Sequence, residues 1–369
     1  MSTYDLPLPH EVTRRLLNWI AQGRRDLPWR RRRDPYAVWI SEIMLQQTQV
    51  ATVIPFFERW LARFPDVQAL AAAQLDEVLK AWEGLGYYAR ARHLHRAAQL
   101  IVAQHGGQLP ADRKALRALP GIGDYTAGAI LSLAFGQAEP VLDGNVRRVL
   151  SRVYDVADEV SAATTTRRLW ELAAALVAAA PEGRAGDLNE GLMELGALIC
   201  LPQKPACPVC PLADLCLARR RGTQAARPMK AAAPRTPHYD VVAAVIQDAA
   251  GRYLLVQRPA DGLLGGLWGF PGGTAAEGEA LDAALSRTVA EQTGIQVRPG
   301  AALRAIKHAY THFRITLHPF RAAHTAGEPR PLRCADVRWV AAADLAAYAF
   351  PVTDRKIAAQ VSEIPSKPS

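Results

Sequence analysis

The chain has 369 residues, half of them hydrophobic, and carries a formal net charge of +9. This length allows two domains with sizeable cores, and the hydrophobic share excludes a disordered or fibrous chain. The basic balance favours a polyanionic partner such as nucleic acid. Residues 1–237 hold most of the excess, with 30 Lys and Arg against 23 Asp and Glu.

The first residues contain no apolar run of signal-peptide length, and nowhere do 18 apolar residues follow one another. We therefore expect a soluble, cytoplasmic protein. Four of the five cysteines lie between residues 200 and 216. Such clustering indicates a reducing compartment and a metal site rather than disulfides.

Residues 11–22 follow an amphipathic pattern that predicts a short helix. An arginine-rich segment follows at residues 24–33, and such a run usually forms a solvated surface. Trp29 lies within it and could stack on a base. Asp34 then offers a helix N-cap and Pro35 a first helical residue, so a helix is predicted from there to residue 50.

Glu42 lies on this helix among apolar residues that include Val38, Trp39 and Met44. Partial burial there would raise its pKa and keep the carboxyl protonated near neutral pH, as a general acid requires. The helix by itself favours the plainer alternative, in which Glu42 faces water or pairs with an arginine.

Residues 66–104 are predicted to form Ala- and Leu-rich helices around a glycine turn. The aromatic pair Tyr87 and Tyr88 follows that turn and lies beside two arginines. Such a pair could wedge into a base stack while the cations hold phosphates. As an isolated motif it is more often part of a core.

The stretch of residues 119–150 predicts a helix, a glycine hairpin and a second helix. Pro120 cannot continue a helix, while Gly121 and Gly123 let the chain turn tightly with their amides facing outward. The apolar positions that follow recur at helical spacing. Amides at a helix N-terminus suit an anionic oxygen, and on a basic protein a nucleic acid phosphate is the expected one.

Asp143 comes after the second helix, in an apolar loop broken by Gly144. A glycine hairpin with an aspartate downstream resembles the helix-hairpin-helix DNA glycosylases, the superfamily that includes endonuclease III. The hairpin by itself also occurs in DNA-binding proteins that have no catalytic activity. Catalysis therefore depends on the acidic residues as well.

Residues 41–50, SEIMLQQTQV, are similar almost letter for letter to the adenine-specific branch of this superfamily, the MutY-type adenine DNA glycosylases. The resemblance implies that Glu42 is the acid acting on adenine N7. It also implies that ionised Asp143 stabilises an oxocarbenium-like sugar. Asn145 would orient the acid pair, and Tyr125 would lie against the sugar.

The same resemblance assigns contacts to DNA and to the base. Gln47 and Thr48 match residues that contact the strand opposite the flipped adenine. Tyr87 matches an intercalating tyrosine, and Leu85 matches a backbone contact to the damaged guanine. Three residues are assigned to the adenine pocket: Trp29, Arg30 and Glu190. For Glu190, an exposed helix charge is an equally open interpretation.

The clustered cysteines run Cys200-x6-Cys207-x2-Cys210-x5-Cys216. Structural zinc sites more often pair two close Cys-x-x-Cys arms, and this spacing has only one. The spacing matches the superfamily's 4Fe–4S loop, which implies four thiolates on one cluster, with zinc as the alternative. Cys334 lies far away and is predicted to be a small core residue.

Residues 223–237 have the composition of a linker, which divides the chain into a helical catalytic domain at 1–222 and a second domain at 238–362. Strands are predicted at 239–246, 253–257, 305–317 and 337–340, with a helix at 281–292. This pattern resembles a Nudix-type α+β domain, so the whole chain is expected to have a mixed α+β fold.

The segment 273–295 follows the Nudix box but carries Thr288 and Gln292 at two acidic positions. The remaining charge is too small to hold the Mg²⁺ that pyrophosphate cleavage needs. The second domain is therefore expected to recognise a lesion without hydrolysing nucleotides. Relatives carry Phe-Ser-His in the recognition loop, where this chain has Tyr310, Thr311 and His312.

Together these features predict a monomeric, nucleoid-associated glycosylase that removes adenine paired with 8-oxoguanine or guanine in duplex DNA. Endonuclease III-like enzymes carry a Schiff-base lysine where this chain has Tyr125, so we expect a monofunctional enzyme. Three alternatives remain: an endonuclease III-like lyase, a DNA-binding iron–sulfur protein without catalysis, and a nucleotide pyrophosphatase.

Overall fold

The computed structural model describes residues 6–231 and 236–362. The chain divides into two compact units, residues 1–72 with 96–233 and residues 73–95 with 234–369. The linker at 223–237 lies partly outside the described residues, and the boundaries at 222 and 238 stay a prediction. Within the described ranges, no helix is both long and apolar enough to cross a membrane.

The first unit is helical. In chain order, the helices up to residue 220 are α1 (Pro9–Gln22), α2 (Pro28–Arg31), α3 (Pro35–Leu45), α4 (Val50–Arg63), α5 (Val67–Ala72), α6 (Leu75–Ala81), α7 (Ala89–His105), α8 (Arg113–Arg117), α9 (Asp124–Ala134), α10 (Gly144–Val153), α11 (Ala163–Ala178), α12 (Ala185–Leu198) and α13 (Leu217–Arg220). Helix α6 and the first residues of α7 belong to the second unit.

Helix α3 begins as its sequence predicts and ends earlier. The side chain of Asp34 accepts a hydrogen bond from the amide of Ala37 at 2.9 Å, and Pro35 is the first helical residue. The predicted extension to residue 50 is wrong, because the chain leaves the helix after Leu45. Gln47 there adopts a left-handed backbone with φ 57°.

The glycine hairpin lies between α8 and α9. Gly121 has a φ of 79°, which L side chains rarely adopt, and Gly123 is the N-cap of α9. Asp143 is the N-cap of α10, where its side chain accepts a hydrogen bond from the amide of Val146. The hairpin and the loop before α10 therefore each lead directly into the N-terminus of a helix.

The core of this unit forms where α1, α10, α11 and α12 pack together. These helices bury aliphatic side chains at helical spacing, among them Val12, Leu16, Val146, Val149, Leu150, Leu169, Leu176, Leu188, Leu192 and Leu195. Gly196 lets α12 approach α10 closely, because a Cβ there would lie 2.6 Å from the Cβ of Asn145.

The second unit contains two sheets. The strands are β1 (His238–Ile246), β2 (Tyr253–Gln257), β3 (Trp268–Gly269), β4 (Gly272–Thr274), β5 (Gln296–Ala302), β6 (Ile306–Ala309), β7 (Arg314–Ala326) and β8 (Asp336–Val340). One sheet has the order β4-β1-β7-β5, with β6 also paired to β7, and the other has the order β3-β2-β8. Strands β1 and β7 are parallel, whereas the other named pairs are antiparallel.

Helices α14 (Leu281–Thr293) and α15 (Val352–Ser362) also belong to this unit. One apolar cluster lies between α14 and the large sheet, and a second lies between the sheets and α15. The strand predicted at 305–317 is two strands, β6 and β7, joined by a turn in which the amide of Tyr310 donates to the carbonyl of Phe313 at 2.8 Å.

Residues 73–95 are tied to the C-terminal part of the second unit by polar contacts. Glu83 accepts hydrogen bonds from the amide of Phe350 and from Nε of Arg355, both at 3.1 Å. Arg92 donates to the carbonyl of Gly265 at 2.7 Å. This segment therefore folds against residues more than 170 positions away.

Candidate active site

A cavity of about 590 Å³ in the first unit brings the two predicted acids together. Its wall is formed by α2, α3, the N-termini of α9 and α10, and one face of α12. The lining residues predicted from sequence are Trp29, Arg30, Glu42, Gln47, Thr48, Gly123, Tyr125, Asp143, Asn145 and Glu190. Glu42 and Asp143, which lie about a hundred residues apart in sequence, face a single cavity.

Glu42 is buried, with 5% of its surface exposed. The residues of α3 from Tyr36 to Met44 are all buried, so protein encloses most of the Glu42 side chain. Burial raises the pKa of Glu42 to about 7, and the charges of Asp143 and Glu190 add to the rise, while a hydrogen bond from Tyr125 opposes it. The alternative of a water-facing Glu42 is therefore wrong.

Asp143 is held in a different environment. Its Oδ1 accepts the amide of Val146 at 2.7 Å, and its Oδ2 accepts Nδ2 of Asn145 at 3.0 Å. Burial raises the pKa of Asp143, and these donors oppose the rise because they favour the ionised carboxylate. Nη2 of Arg148 in turn donates to Oδ1 of Asn145 at 2.8 Å, which orients the Asn145 amide.

Tyr125 lies between α12 and Glu42. Its hydroxyl donates to Oε2 of Glu42 at 2.5 Å and lies 3.3 Å from Sδ of Met193. Burial raises the pKa of Tyr125 well above its ordinary value, so it remains a neutral phenol. Met193 was not predicted from the sequence. It is an apolar residue on an amphipathic helix, and nothing in the sequence distinguishes it from an ordinary core residue.

Glu190 is not an exposed helix charge, because it is 5% exposed and ion-paired. Its Oε2 accepts Nη1 of Arg24 at 2.6 Å and Nη2 of Arg33 at 3.0 Å. Nε of Arg30 lies 3.6 Å from its other oxygen. The expectation of a solvated arginine surface is thus wrong for these three cations, which pair with acids of α12.

Glu194 extends this network and was missed by sequence reasoning. It is 1% exposed and accepts Nε of Arg25 at 2.7 Å and Nη2 of Arg30 at 2.9 Å. Burial raises the pKa of Glu194, but the hydrogen bonds and charges of Arg25 and Arg30 outweigh burial and lower it to about 2. The i, i+3 and i+7 spacing of Asp187, Glu190 and Glu194 on one helical face was the available signal.

The other predicted residues of the first unit lie around the cavity. Trp29 is buried and meets Phe57 edge to face at 5.5 Å, so it is part of the core as well as the cavity wall. Gln47 and Gly121 are exposed. Nothing lies within 4 Å of a Cβ built at Gly123, so the space beside this exposed residue is open.

The predicted lesion contacts belong to the second unit. Leu85 is buried, whereas Tyr87 is 46% exposed and has a left-handed φ of 47°. The hydroxyls of Tyr87 and Thr311 lie 2.5 Å apart. Thr311 and His312 are exposed in the β6–β7 turn, but Tyr310 is half-buried against Phe313 at 4.8 Å.

The four clustered cysteines line one small pocket with apolar walls that include Val149, Leu195 and Leu212. Nη1 of Arg152 lies 3.3 Å from Sγ of Cys200, and the carbonyl of Arg152 lies 3.3 Å from Sγ of Cys216. Four sulfur donors beside a buried guanidinium fit an anionic iron–sulfur cluster. Cys334 lies in the second unit, half-buried.

Three protein families match the chain. The HhH-GPD superfamily of base excision DNA repair proteins matches residues 40–175, the iron-sulfur binding domain of endonuclease III matches residues 200–216, and the NUDIX domain matches residues 242–360. These matches confirm the predicted fold class and the iron–sulfur cofactor, rather than zinc.

Several relatives that match most of the chain are adenine DNA glycosylases. The one from Homo sapiens is 38% identical, over 88% of this chain and 69% of the relative. The one from Schizosaccharomyces pombe is 30% identical, over 89% of this chain and 85% of the relative. A solved thermostable thymine-DNA glycosylase is 32% identical with a TM-score of 0.52, over 58% of this chain and 97% of its own.

Proposed function

Because this chain belongs to the adenine DNA glycosylase family, we propose that it removes adenine paired with 8-oxoguanine, and with guanine, from duplex DNA. The observation that carries the proposal is the shared cavity of Glu42 and Asp143. A buried acid with a pKa of about 7 and a hydrogen-bonded carboxylate are suited to opposite protonation states.

The first step is protonation of the extruded base. Oε2 of Glu42 accepts the Tyr125 hydroxyl, so we assign the acidic proton to Oε1. Transfer of this proton to adenine N7 lets the C1′–N9 bond break, with the bonding electrons going to the purine. Adenine then leaves as a neutral base, which lowers the barrier to its departure.

The second step is stabilisation of the sugar. Ionised Asp143 lies at the N-terminus of α10 and is held by Val146 and Asn145, so its negative charge is fixed in place. That charge stabilises the oxocarbenium-like sugar until water adds to C1′ and releases a proton. Both acids come from one chain, which supports action as a monomer.

The cluster has a structural part in this proposal. Cys200, Cys207, Cys210 and Cys216 would hold it, and it supplies a cross-link within the loop of residues 200–216. We assign DNA contact to the turn that contains the exposed residues Gly121 and Gly123, at the N-terminus of α9. The protein would act wherever the cell keeps its DNA, which supports the nucleoid as its location.

The second unit is proposed to recognise the oxidised guanine through Tyr87, Thr311 and His312. Its Nudix-like segment offers no carboxylate at position 288, where the Thr288 hydroxyl donates to the carbonyl of Ala284 at 2.8 Å. Oε1 of Gln292 accepts the amide of Gly272 at 2.9 Å. These contacts support recognition rather than nucleotide hydrolysis.

The experiment is a single-turnover assay on duplexes that differ only in the base opposite adenine, with strand cleavage measured after alkali. We expect excision opposite 8-oxoguanine and guanine, and little opposite thymine. Glu42→Gln should abolish it, whereas Glu58→Gln, on an exposed glutamate, should not. Equal activity of Glu42→Gln and wild type would refute the mechanism.

A separate test addresses lyase activity. Because a phenol at position 125 cannot form an imine, we expect no efficient trapping by borohydride on a duplex that contains an abasic site. Efficient trapping would instead favour the endonuclease III-like alternative.

A further inference from the structure

The turn at residues 84–87 carries Tyr87 in a backbone conformation that its own sequence does not hold. Gly84 and Gly86 have φ values of 106° and 73°, and Tyr87 has a left-handed φ of 47°. A residue with a side chain keeps a left-handed backbone only where the surrounding structure holds it there. The contacts at the two ends of this turn therefore decide where the Tyr87 ring lies.

Glu83 is the residue immediately before this turn, and its carboxylate accepts hydrogen bonds at both oxygens. Oε1 accepts the amide of Phe350 and Nε of Arg355, both at 3.1 Å, and also Nη2 of Arg355. Oε2 accepts Nζ of Lys80 at 2.6 Å. Glu83 therefore binds a segment of the second unit that lies 267 positions later in the chain, just before α15.

The two cations that pair with Glu83 bind the same segment. Nζ of Lys80 donates to the carbonyl of Tyr348 at 3.2 Å, and Nη2 of Arg355 donates to that carbonyl at 3.0 Å. The Arg355 guanidinium also lies over the Phe350 ring, 4.8 Å from its centre. Burial raises the pKa of Glu83, but the hydrogen bonds of Lys80 and Arg355 outweigh burial and bring it below its ordinary value. The carboxylate is therefore ionised at neutral pH, where both ion pairs are formed.

Two weaker contacts hold the other end of the turn. The Tyr88 hydroxyl donates to the carbonyl of Phe350 at 3.4 Å, and Arg92 donates to the carbonyl of Gly265 at 2.7 Å. Each of these is a single hydrogen bond to a neutral carbonyl. Hydrogen bonds between ionised groups are stronger, and Glu83 has two charged partners. Glu83 is therefore the main anchor of this turn.

The anchored turn meets the β6–β7 turn of the same unit. The hydroxyls of Tyr87 and Thr311 form a hydrogen bond across the two turns. The β6–β7 turn is fixed by strand pairing, in which Ala309 lies opposite Arg314. Tyr87 has no strand pairing of this kind, so its distance from Thr311 depends on the anchors at residues 83, 88 and 92.

We propose that Glu83 is a positioning residue for the recognition of oxidised guanine. Through its ion pairs with Arg355 and Lys80 it holds Tyr87 beside the β6–β7 turn, so that both turns reach the base opposite adenine together. The inference rests on the proposed function, because it concerns the preference for 8-oxoguanine over guanine. The catalytic acids take no part in these ion pairs, so excision opposite guanine should continue without them.

The test compares single-turnover excision of adenine opposite 8-oxoguanine and opposite guanine, with the full-length protein in saturating excess over each duplex. We expect Glu83→Ala to lower the ratio of the two rates about tenfold, equivalent to about 1.4 kcal/mol, through slower excision opposite 8-oxoguanine. Arg355→Met should lower the ratio as well. Both rates come from one preparation, so their ratio does not depend on how much of the enzyme is folded.

The outcomes separate this inference from the function on which it rests. Unchanged ratios in both variants would overturn the role of Glu83, even if the thermal midpoint falls, because Glu83 would then only stabilise the fold. A wild-type protein that excises adenine opposite neither base would overturn the proposed function, and this inference with it.

A double variant tests whether Glu83 acts through Arg355. If the two residues act as a pair, Glu83→Ala combined with Arg355→Met should lower the ratio by less than the product of the two single losses. The matched control is the ion pair of Glu291 and Arg333, which meet at 2.8 Å in the same unit. Glu291→Ala and Arg333→Met should leave the ratio unchanged. Fully multiplicative losses at Glu83 and Arg355 would refute positioning through this pair.

Discussion

The hydroxyl of Tyr125 donates a 2.5 Å hydrogen bond to the carboxyl of Glu42, eighty-three positions earlier in the chain. A donor to the ionised form lowers the pKa of an acid, and here it opposes the larger effect of burial. The phenol therefore limits how far burial raises the pKa of Glu42. It also leaves one carboxyl oxygen for the substrate.

Removal of this donor should change the pH dependence of excision. In Tyr125→Phe the pKa of Glu42 rises further, so the alkaline decline of the single-turnover rate should shift to higher pH. Tyr154→Phe is the control, because the buried Tyr154 hydroxyl has no partner in the ranges that the structure describes. Identical pH profiles for wild type and Tyr125→Phe would contradict this role.

Glu42→Gln should alter stability in a pH-dependent way. Glu42 has a pKa of about 7 in the folded protein and an ordinary value of 4.5 when unfolded. The stabilisation that the neutral carboxyl of Glu42 gives the folded protein is therefore fully present below pH 4.5. It is lost as the pH rises through about 7, and the free energy of unfolding falls by roughly 3 kcal/mol. Glutamine does not ionise.

Urea unfolding at pH 5 and pH 8 measures this effect. The difference in unfolding free energy between Glu42→Gln and wild type should shift in favour of Glu42→Gln from pH 5 to pH 8. The same difference for Glu58→Gln should not change with pH, because Glu58 is exposed. A Glu42→Gln difference that stays constant with pH would contradict the raised pKa.

Asp143→Asn should show whether Asp143 acts through its negative charge or only through its cap on α10. Asparagine is as good an N-cap as aspartate, so α10 should keep its start and the protein its thermal midpoint. Loss of the fixed negative charge should lower the single-turnover excision rate by about a hundredfold or more. The control is Asp112→Asn at the exposed N-cap of α8, where Oδ1 accepts the amide of Ala115 at 2.7 Å. Comparable rates for the two variants would refute the electrostatic role.

Gly196→Ala tests the packing that positions Asn145. The added methyl would lie 2.6 Å from the Cβ of Asn145, so α12 and α10 must separate. We expect a loss of about 1–3 kcal/mol in unfolding free energy and a lower excision rate. Gly191→Ala on the same helix is the control, since its nearest neighbour is 3.6 Å away. If both variants behave alike, this contact does not position Asn145.

Much of the fold could be predicted because its signals are local. The cap of Asp34, the hairpin of Gly121 and Gly123, and the cysteine spacing each depend on residues a few positions apart. Strand β2 was predicted with its observed limits, 253–257. The end of α3 was not, because the residues after Leu45 still follow a helical pattern while the backbone turns at Gln47.

The motifs could be recognised along the chain, and their resemblance to a known family indicated the roles of Glu42, Tyr125 and Asp143. The folded structure was needed to show that Glu42 is buried, that Glu190 and Glu194 pair with arginines some 160 residues away, and that Tyr310 is half-buried. A motif depends on neighbours along the chain, whereas burial, pKa and ion pairing depend on which distant helices and strands pack around a side chain.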